Sequence, residues 1–473
     1  MNIPFHRTKW LAGGVLAGSG ALLSGLAARA QDVAAATATA AATVAAAAAP
    51  VAPTKIDSGD TGWVLVSTAL VLLMTIPGLA FFYGGLVRKK NVLSVLMQCF
   101  FIMCLISLQW VLFGYSLAFG PDVHGIIGNL SWAGLKDVSF ALPHWDVASG
   151  SSYAGTIPHQ AFMIFQMMFA VITPALIIGA FAERFKFAAF CVFTLLWATF
   201  VYDPVAHWVW GKGGFLGGMG ALDFAGGTVV HINAGIAALV CAIVLGKRIG
   251  YPDKSSPPHN LPFAVLGAAL LWFGWFGFNA GSALGANGLA VNAFVTTHVA
   301  TAAAGLTWAL MDYLFNRHAT VLGVITGAVG GLVAVTPAAG FVTPAGAIAI
   351  GIGAGIIPYL FVSIIKPKLG YDDTLDAFGV HGIGGIWGAL ATGLFCTKAV
   401  NAAGADGLFY GGGISQFIIQ AKAVGVTIVV AFVGTWILLK LVDKVIGLRV
   451  DERGEKVGLD LTDHRETGYT MLD

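Results

Sequence analysis

The chain has 473 residues, of which 57% are hydrophobic and only 10% charged, against the roughly 25% charged residues of an ordinary soluble domain. With so few charges and a mean hydropathy of +0.82, a globule of this size lacks the polar surface that water demands, so its exterior must face lipid. A net charge of +2 without a long basic run leaves no electrostatic footprint for nucleic acid, so the partner read from composition is the lipid bilayer and not nucleic acid.

In chain order, residues 1–30 read as a signal peptide. Arg7 and Lys9 precede an apolar run from Trp10 to Ala27, and Ala28-Arg29-Ala30 gives an A-x-A cleavage site before Gln31. Residues 31–60 form a low-complexity Ala/Thr/Val/Pro lead-in on the outer, periplasmic side. Residues 61–445 are the membrane domain. Apolar segments of the ~20 residues that cross a hydrocarbon core recur at 62–86, 92–119, 158–181, 187–207, 225–245, 261–282, 291–314, 319–337, 343–365, 377–397 and 415–440. The basic clusters Arg88-Lys89-Lys90, Arg184 with Lys186, Lys247-Arg248 with Lys254, Arg317, Lys366 with Lys368, and the tail after Lys440 fall on every second connection. By the positive-inside rule the mature N-terminus is then outside, and residues 446–473 form a cytoplasmic C-terminal tail. The signal peptide gives the same orientation independently.

Val230-His231 with Gly235-Ile236 and Val380-His381 with Gly385-Ile386 repeat one pattern in segments five and ten. Two five-helix halves must insert with opposite orientation, because five is odd. The expected fold is therefore an all-α integral membrane protein of eleven transmembrane helices, an inverted five-helix pseudo-repeat plus a final helix, with a path between the halves.

Cys99, Cys104, Cys191, Cys241 and Cys396 lie in apolar stretches without metal-ligand spacing and read as small buried hydrophobes. Ionisable residues in or beside the helices are costly there and are functional candidates. Asp312, near a cytoplasmic end, is given no role, Asp203 is read as facing an outer cavity, and His207 and His298 stay unassigned. His231 and His381 occupy equivalent places among small apolar residues. They either bond backbone or each other for packing, or line a shared lumen, where neutral imidazole both donates and accepts a hydrogen bond. Asp223 reads as an N-cap whose charge also helps stabilise an arriving cation, and Asp376, five residues before His381, as a second cap.

The run DFAGGTVVHINAG from Asp223, ending in GKR at Arg248, resembles the signature of the Amt/MEP/Rh ammonium transporter family. So do Pro77-Gly78 with Phe82-Tyr83-Gly84-Gly85, Asn91-Val92-Leu93-Ser94, GAFAER (Gly179 to Arg184), GWFGFNAGSA (Gly274 to Ala283), FGVHG (Phe378 to Gly382) and GLRV (Gly447 to Val450). The likeness spans residues 62–473 and is nearest the bacterial Amt branch, which implies a bacterial inner membrane location and a homotrimer with one pore per subunit. The substrate implied is ammonium or ammonia, with methylammonium as an analogue. No enzymatic activity, cofactor or metal is implied. A PII-type regulatory protein is implied at the cytoplasmic tail, for which a solvated terminus is the plainer reading.

By local motif the resemblance places an outer recruitment site at Phe165, Trp210 and Ser282, a gate at Phe169 and Phe278, and a pore pair at His231 and His381, with Asp223 in a structural or electrostatic role. Two features of the predicted topology accord with it. Phe165, Trp210 and Ser282 all fall at outer ends, and Phe165–Phe169 and Phe278–Ser282 are each one turn apart on one helix face. Packing or lipid contact is the alternative for the phenylalanines. The implied route recruits ammonium, removes its proton, conducts ammonia past the histidines and rejects potassium. Three other readings are weighed against it. A haem-binding electron carrier would use the two histidines as axial ligands, a cation channel would show a carbonyl filter or an acidic ring, and an ammonium sensor would signal through its tail.

Overall fold

The computed structural model describes residues 55–145, 151–253 and 256–469; the expected signal peptide and the lead-in as far as residue 54 lie outside the described residues. The first helix starts at Ser58, inside the end of the expected lead-in, because the Asp57 carboxylate accepts the Asp60 N–H at 2.9 Å and caps it.

Ten helices among the described residues are long and apolar enough to cross a membrane. They are α1 (Ser58–Leu86), α2 (Lys89–Phe119), α3 (His159–Phe181), α4 (Phe187–Gly218), α5 (Gly227–Leu245), α6 (Leu261–Gly281), α7 (Gly288–Asn316), α9 (Pro344–Leu369), α10 (Phe378–Phe395) and α11 (Ser415–Val445). Where the eighth span was predicted stands α8 (Val321–Val335), apolar but only 15 residues long, about 22 Å at 1.5 Å per residue. The chain prolongs it through the buried turn 336–342. Small β-strands β1 (Asp122–Val123) and β2 (Ile127–Gly128) pair antiparallel after α2. The tail adds two short helices, α12 (Glu452–Val457) and α13 (Leu459–Thr462).

Helix starts are set by side chains that accept otherwise orphaned N–H groups: Asn260 for α6, Asn287 for α7, Thr320 for α8 and Thr343 for α9. Along the helices, threonine hydroxyls donate back to the carbonyl one turn earlier, as Thr173 does to Phe169 and Thr336 to Leu332. Such bonds keep polar groups satisfied without water.

The most enclosed helices are α3 and α5, which pack on each other, while α5 and α11 pack on α10. The exterior carries large apolar side chains such as Phe100, Leu112, Phe273, Leu306 and Ile437, as a lipid-facing surface requires. Cys99, Cys241 and Cys396 are buried as expected, but Cys104 is exposed on that apolar exterior.

The tail does not trail into solvent. Leu459 N–H donates to Asn91 Oδ1 at 2.8 Å, Asp460 accepts the Ser94 N–H at 2.8 Å, and Glu455 accepts the Ile249 N–H at 2.6 Å. Arg449 reaches the Leu245 and Lys247 carbonyls and the Glu455 carboxylate. These bonds fasten the tail to the start of α2 and to the α5–α6 connection, and the Lys186 N–H, donating to the Leu448 carbonyl at 2.8 Å, ties it to the α3–α4 connection; that side is called the tail face below, and the opposite side the mouth face.

Candidate conduction site

Asp223 organises the start of α5. Its Oδ1 accepts the N–H groups of Gly226 (2.8 Å) and Gly227 (2.7 Å), and its Oδ2 those of Thr228 (2.8 Å) and Val229 (3.1 Å). Four N–H groups at a helix start have no partner within the helix, and one carboxylate satisfies all four here. Burial raises the Asp223 carboxyl above its ordinary range, against the pull of these four bonds. Its backbone carbonyl accepts the Trp210 indole N–H at 2.9 Å, so the same residue anchors Trp210.

α10 is begun differently from the expectation. Asp376 is not its cap: it has φ 60° and pairs with Lys366 Nζ at 2.6 Å. The cap is Asp373, whose carboxylate accepts the Ala377 N–H (3.1 Å) and the Phe378 N–H (2.8 Å). Asp373 stands eight residues before His381, as Asp223 stands before His231, so α5 and α10 carry equivalent caps at equal spacing.

Both histidines lie in π-helical first turns, Gly227–Ile232 and Phe378–Ile383. The helices cross where glycines allow near-contact of backbones. A Cβ on Gly235 would lie 2.1 Å from the Gly382 nitrogen, and one on Gly385 3.1 Å from His231 Cβ. The two imidazoles consequently face each other, ring centroids 5.4 Å apart and 17° from parallel. Both rings are buried, and among the described residues neither nitrogen of His231 nor Nδ1 of His381 has a hydrogen-bond partner.

Toward the mouth face, Phe278 lies 6.0 Å from His231, and Phe278 and Phe169 stack at 4.3 Å. Phe169 in turn meets Phe165 at 5.0 Å and Trp210 edge-on at 5.8 Å. Ser282 Oγ donates to the Phe278 carbonyl at 2.8 Å, leaving its lone pairs free to accept. The structure thus draws Phe165, Trp210, Phe169, Phe278, His231 and His381 into one column of rings, with Ser282 one turn from Phe278 and Asp223 behind Trp210.

One ring of this column was missed from sequence. Trp275 stacks on His231 at 5.4 Å and is pinned by its N–H donating to Thr336 Oγ1 at 2.9 Å. It stands three residues before Phe278 on the same helix face, a spacing that could have flagged it.

Beneath the Phe278 ring, a cavity of ≈ 10 Å³, walled by apolar side chains such as Leu271, Ile172 and Val329 and by both histidines, gives space for one small molecule. His381 also lines a second, wider cavity of ≈ 320 Å³ on the tail-face side, together with Tyr83, Asp312, Thr320, Thr374 and Asp376 among others. Asp312, given no role from sequence, accepts the Thr320 hydroxyl at 2.7 Å on this wall. His298 packs beside Trp272 and Phe276, away from the column. Asp203 is fully buried and bonded to Gln109, so it faces no outer cavity.

An ion network joins the helix connections on the tail face. Glu183 accepts from Arg88 Nε (2.8 Å) and pairs with Arg248 (3.2 Å), while Arg248 holds Asp372 through Nη2 (2.8 Å) and Nε (2.9 Å). Burial alone would raise both carboxyls, but the arginine bonds and charges outweigh it and hold Glu183 and Asp372 below the usual carboxylate range.

Residues 62–469 match the family model described as Ammonium Transporter Family. The ammonium transporter of Bacillus subtilis (strain 168) is 54% identical over 411 residues, covering 87% of this chain and 98% of that protein. That of Aquifex aeolicus (strain VF5) is 48% identical over 418 residues, 88% of this chain and 95% of the relative. Among solved structures, Saccharomyces cerevisiae Mep2 aligns with a TM-score of 0.78 at 35% identity, covering 89% of this chain and 94% of Mep2. A protein described as "Sensor Amt Protein" aligns with a TM-score of 0.75 at 32% identity, over 86% and 98% of the two chains. The chain belongs to the ammonium transporter family.

Proposed function

We propose that the protein transports ammonium, recruiting it at an aromatic mouth, removing its proton and conducting ammonia past the twin histidines. The observation that carries this reading is the pair of facing imidazoles, three of whose four nitrogens are buried without a partner among the described residues, in a narrow apolar cavity directly under two stacked phenylalanines.

Ammonium reaches the mouth as a cation. The Trp210 and Phe165 faces offer cation–π attraction of ~0.5–2 kcal/mol, and the Ser282 oxygen accepts an N–H. The Phe169–Phe278 stack leaves no gap for a hydrated ion, so passage requires ring displacement and loss of water. Carrying the bare cation into apolar surroundings would cost several kcal/mol even after relaxation (~5 kcal/mol), whereas neutral ammonia carries no such penalty. The proton is therefore shed on the mouth side of the gate. Each neutral imidazole offers one N–H and one lone pair, which match the lone pair and N–H groups of ammonia. Potassium has no proton to shed and no hydrogen to donate, so it is rejected. Asp223 acts through structure, by holding the start of α5 and the Trp210 indole, and through its charge near the mouth.

The remaining parts of the reading follow the family resemblance. The fold is eleven spans with an inverted five-helix repeat, α8 counting as a span. The assembly is a homotrimer in a bacterial inner membrane, with the mouth face periplasmic and the tail face cytoplasmic, where a PII-type protein would dock. The test is current and uptake in proteoliposomes, with ammonium against potassium, for the wild type and for His231→Ala, His381→Ala and the double variant. The wild type carries ammonium and excludes potassium; the double variant loses rate, selectivity or both. Full-rate, selective uptake by the double variant would refute the assigned role.

A further inference from the structure

Asp203 and His207 are buried ionisable residues that the conduction path leaves unused. Both belong to the segment Asp203–Trp210, which follows the π turn Ala198–Tyr202 in α4 and ends on Trp210. They stand one turn apart and share a face, and that face is bonded to α2 and to the hairpin beyond it. Asp203 Oδ2 accepts from Gln109 Nε2 at 2.7 Å. His207 Nδ1 lies 2.9 Å from the Ala118 carbonyl oxygen and Nε2 lies 2.9 Å from Asp122 Oδ1. Both ring nitrogens thus face oxygen atoms, one on the α2 backbone and one on the hairpin. Asp122 is itself fixed by the Gly125 N–H at 2.8 Å, and the Trp208 indole donates to the Ile126 carbonyl at 2.6 Å.

The chain beyond Trp210 folds back onto the same ring. A Cβ on Gly211 would lie 2.5 Å from His207 Nδ1, and one on Gly214 2.0 Å from the His207 carbonyl oxygen. Glycine at both positions lets the turn close over the histidine. Packing alone would be served at lower desolvation cost by apolar residues. What directional bonds add is a fixed rotation of the segment about its axis, and the residue whose direction this sets is Trp210, three positions beyond His207. Its indole is then bonded at the far side to the Asp223 carbonyl and presents an edge to the Phe169 ring.

We propose that His207 and Asp122, backed by the Asp203–Gln109 bond, are positioning residues for ammonium recruitment: they hold Trp210 over the gate so that its orientation is set before the cation arrives. The inference rests on the proposed recruitment role of Trp210.

The test compares ammonium-evoked currents in proteoliposomes for the wild type, Asp122→Ala, Asp122→Asn and Trp210→Ala, and for Asp122→Ala combined with Trp210→Ala, each checked for a monodisperse elution profile. Asp122→Ala raises the apparent KM about tenfold or more, the size expected from losing one charged hydrogen bond, and leaves the maximal current within about twofold. Asp122→Asn keeps an acceptor oxygen for the ring and stays near the wild-type KM. In the Trp210→Ala background, Asp122→Ala adds no further change, because the two act through one group. Should Asp122→Ala fail to fold, Asp122→Ser, whose hydroxyl still caps the Gly125 turn but stops short of the ring, gives the same readout. A wild-type KM in Asp122→Ala, or the same rise with and without Trp210, overturns the inference while leaving recruitment at Trp210 standing. An unchanged KM in Trp210→Ala alone removes the recruitment reading and this inference with it.

Discussion

Asp223 offers the most quantitative test of how the site is held. Four backbone N–H groups end on its carboxylate, two on each oxygen. A hydrogen bond to a charged group contributes a net ~1.5–3 kcal/mol. In Asp223→Asn, the amide oxygen can keep the Gly226 and Gly227 bonds, but the NH2 then faces the Thr228 and Val229 donors, and two bonds are lost. The simple sum is ~3–6 kcal/mol, and partial relaxation places the expectation near ~3 kcal/mol. Asp223→Ala loses all four acceptor contacts at a helix start where little water can enter, and the expected cost is ~5 kcal/mol or more. Because the Asp223 carbonyl also anchors Trp210, loosening this turn also raises the apparent KM for ammonium. Thermal unfolding of the purified protein in detergent, with currents measured on the same samples, checks both. Asp223→Ala with a wild-type midpoint and wild-type currents would show that the four bonds contribute nothing, and the capping argument would fail.

Gly235→Ala places a methyl 2.1 Å from the Gly382 nitrogen. Backbone cannot yield as a side chain can, so the variant should lose ~3 kcal/mol or more of stability and spread the histidine pair, seen as a lower unfolding midpoint and a reduced ammonium current; unchanged values would refute the close crossing. For Glu183 and Asp372, the folded-state carboxyls titrate below their ordinary values because of Arg88 and Arg248. Their contribution to stability is therefore present above the unfolded value, near pH 4 (~4), and is lost as pH falls through the lower folded values. The unfolding midpoint should drop on acidification below about pH 4, and less steeply in Glu183→Gln; equal slopes would exclude this network as a source of the acid sensitivity.

Much of this was legible in the chain because membrane burial forces simple signals. Length and hydropathy mark ten helices among the described residues as able to cross a membrane, and an imidazole among Gly, Ala and Val stands out against its surroundings at His231 and His381. The short α8 was drawn too long, since the predicted segment 319–337 merged its helix with the buried turn that follows. The cap of α10 went to Asp376 because proximity to the helix was weighed above spacing; the eight-residue offset shared by Asp223–His231 and Asp373–His381 would have selected Asp373. The burial of Asp203 and the double bonding of His207 could not be read, because their partners Gln109, Ala118 and Asp122 lie some ninety residues away, on α2 and the hairpin after it. Trp275 was missed for a different reason. Aromatic residues abound in lipid-facing segments, and only contact with His231 separates it from them.

The pairing of the histidines depends on features that α5 and α10 share. A carboxylate receives N–H groups at the start of α5 and of α10, and each helix then runs through a π turn that contains its histidine. A π turn holds more residues than an α turn, so it changes the direction in which the side chains within it project. Carboxylate capping makes such a start tolerable, since donors that the wider turn leaves unpaired find an acceptor outside it. Four residues beyond each histidine a glycine lets the opposing helix approach, which brings the two turns together at their crossing. Cap, widened turn and glycine contact act in sequence: the first satisfies the backbone, the second directs the imidazole, and the third sets its distance from the other. A histidine pair that served only to fasten two helices would be expected to bond to backbone or to each other. Here both nitrogens of His231 and Nδ1 of His381 are left without partners among the described residues, a cost that makes physical sense when the hydrogen-bond partner is the solute in transit.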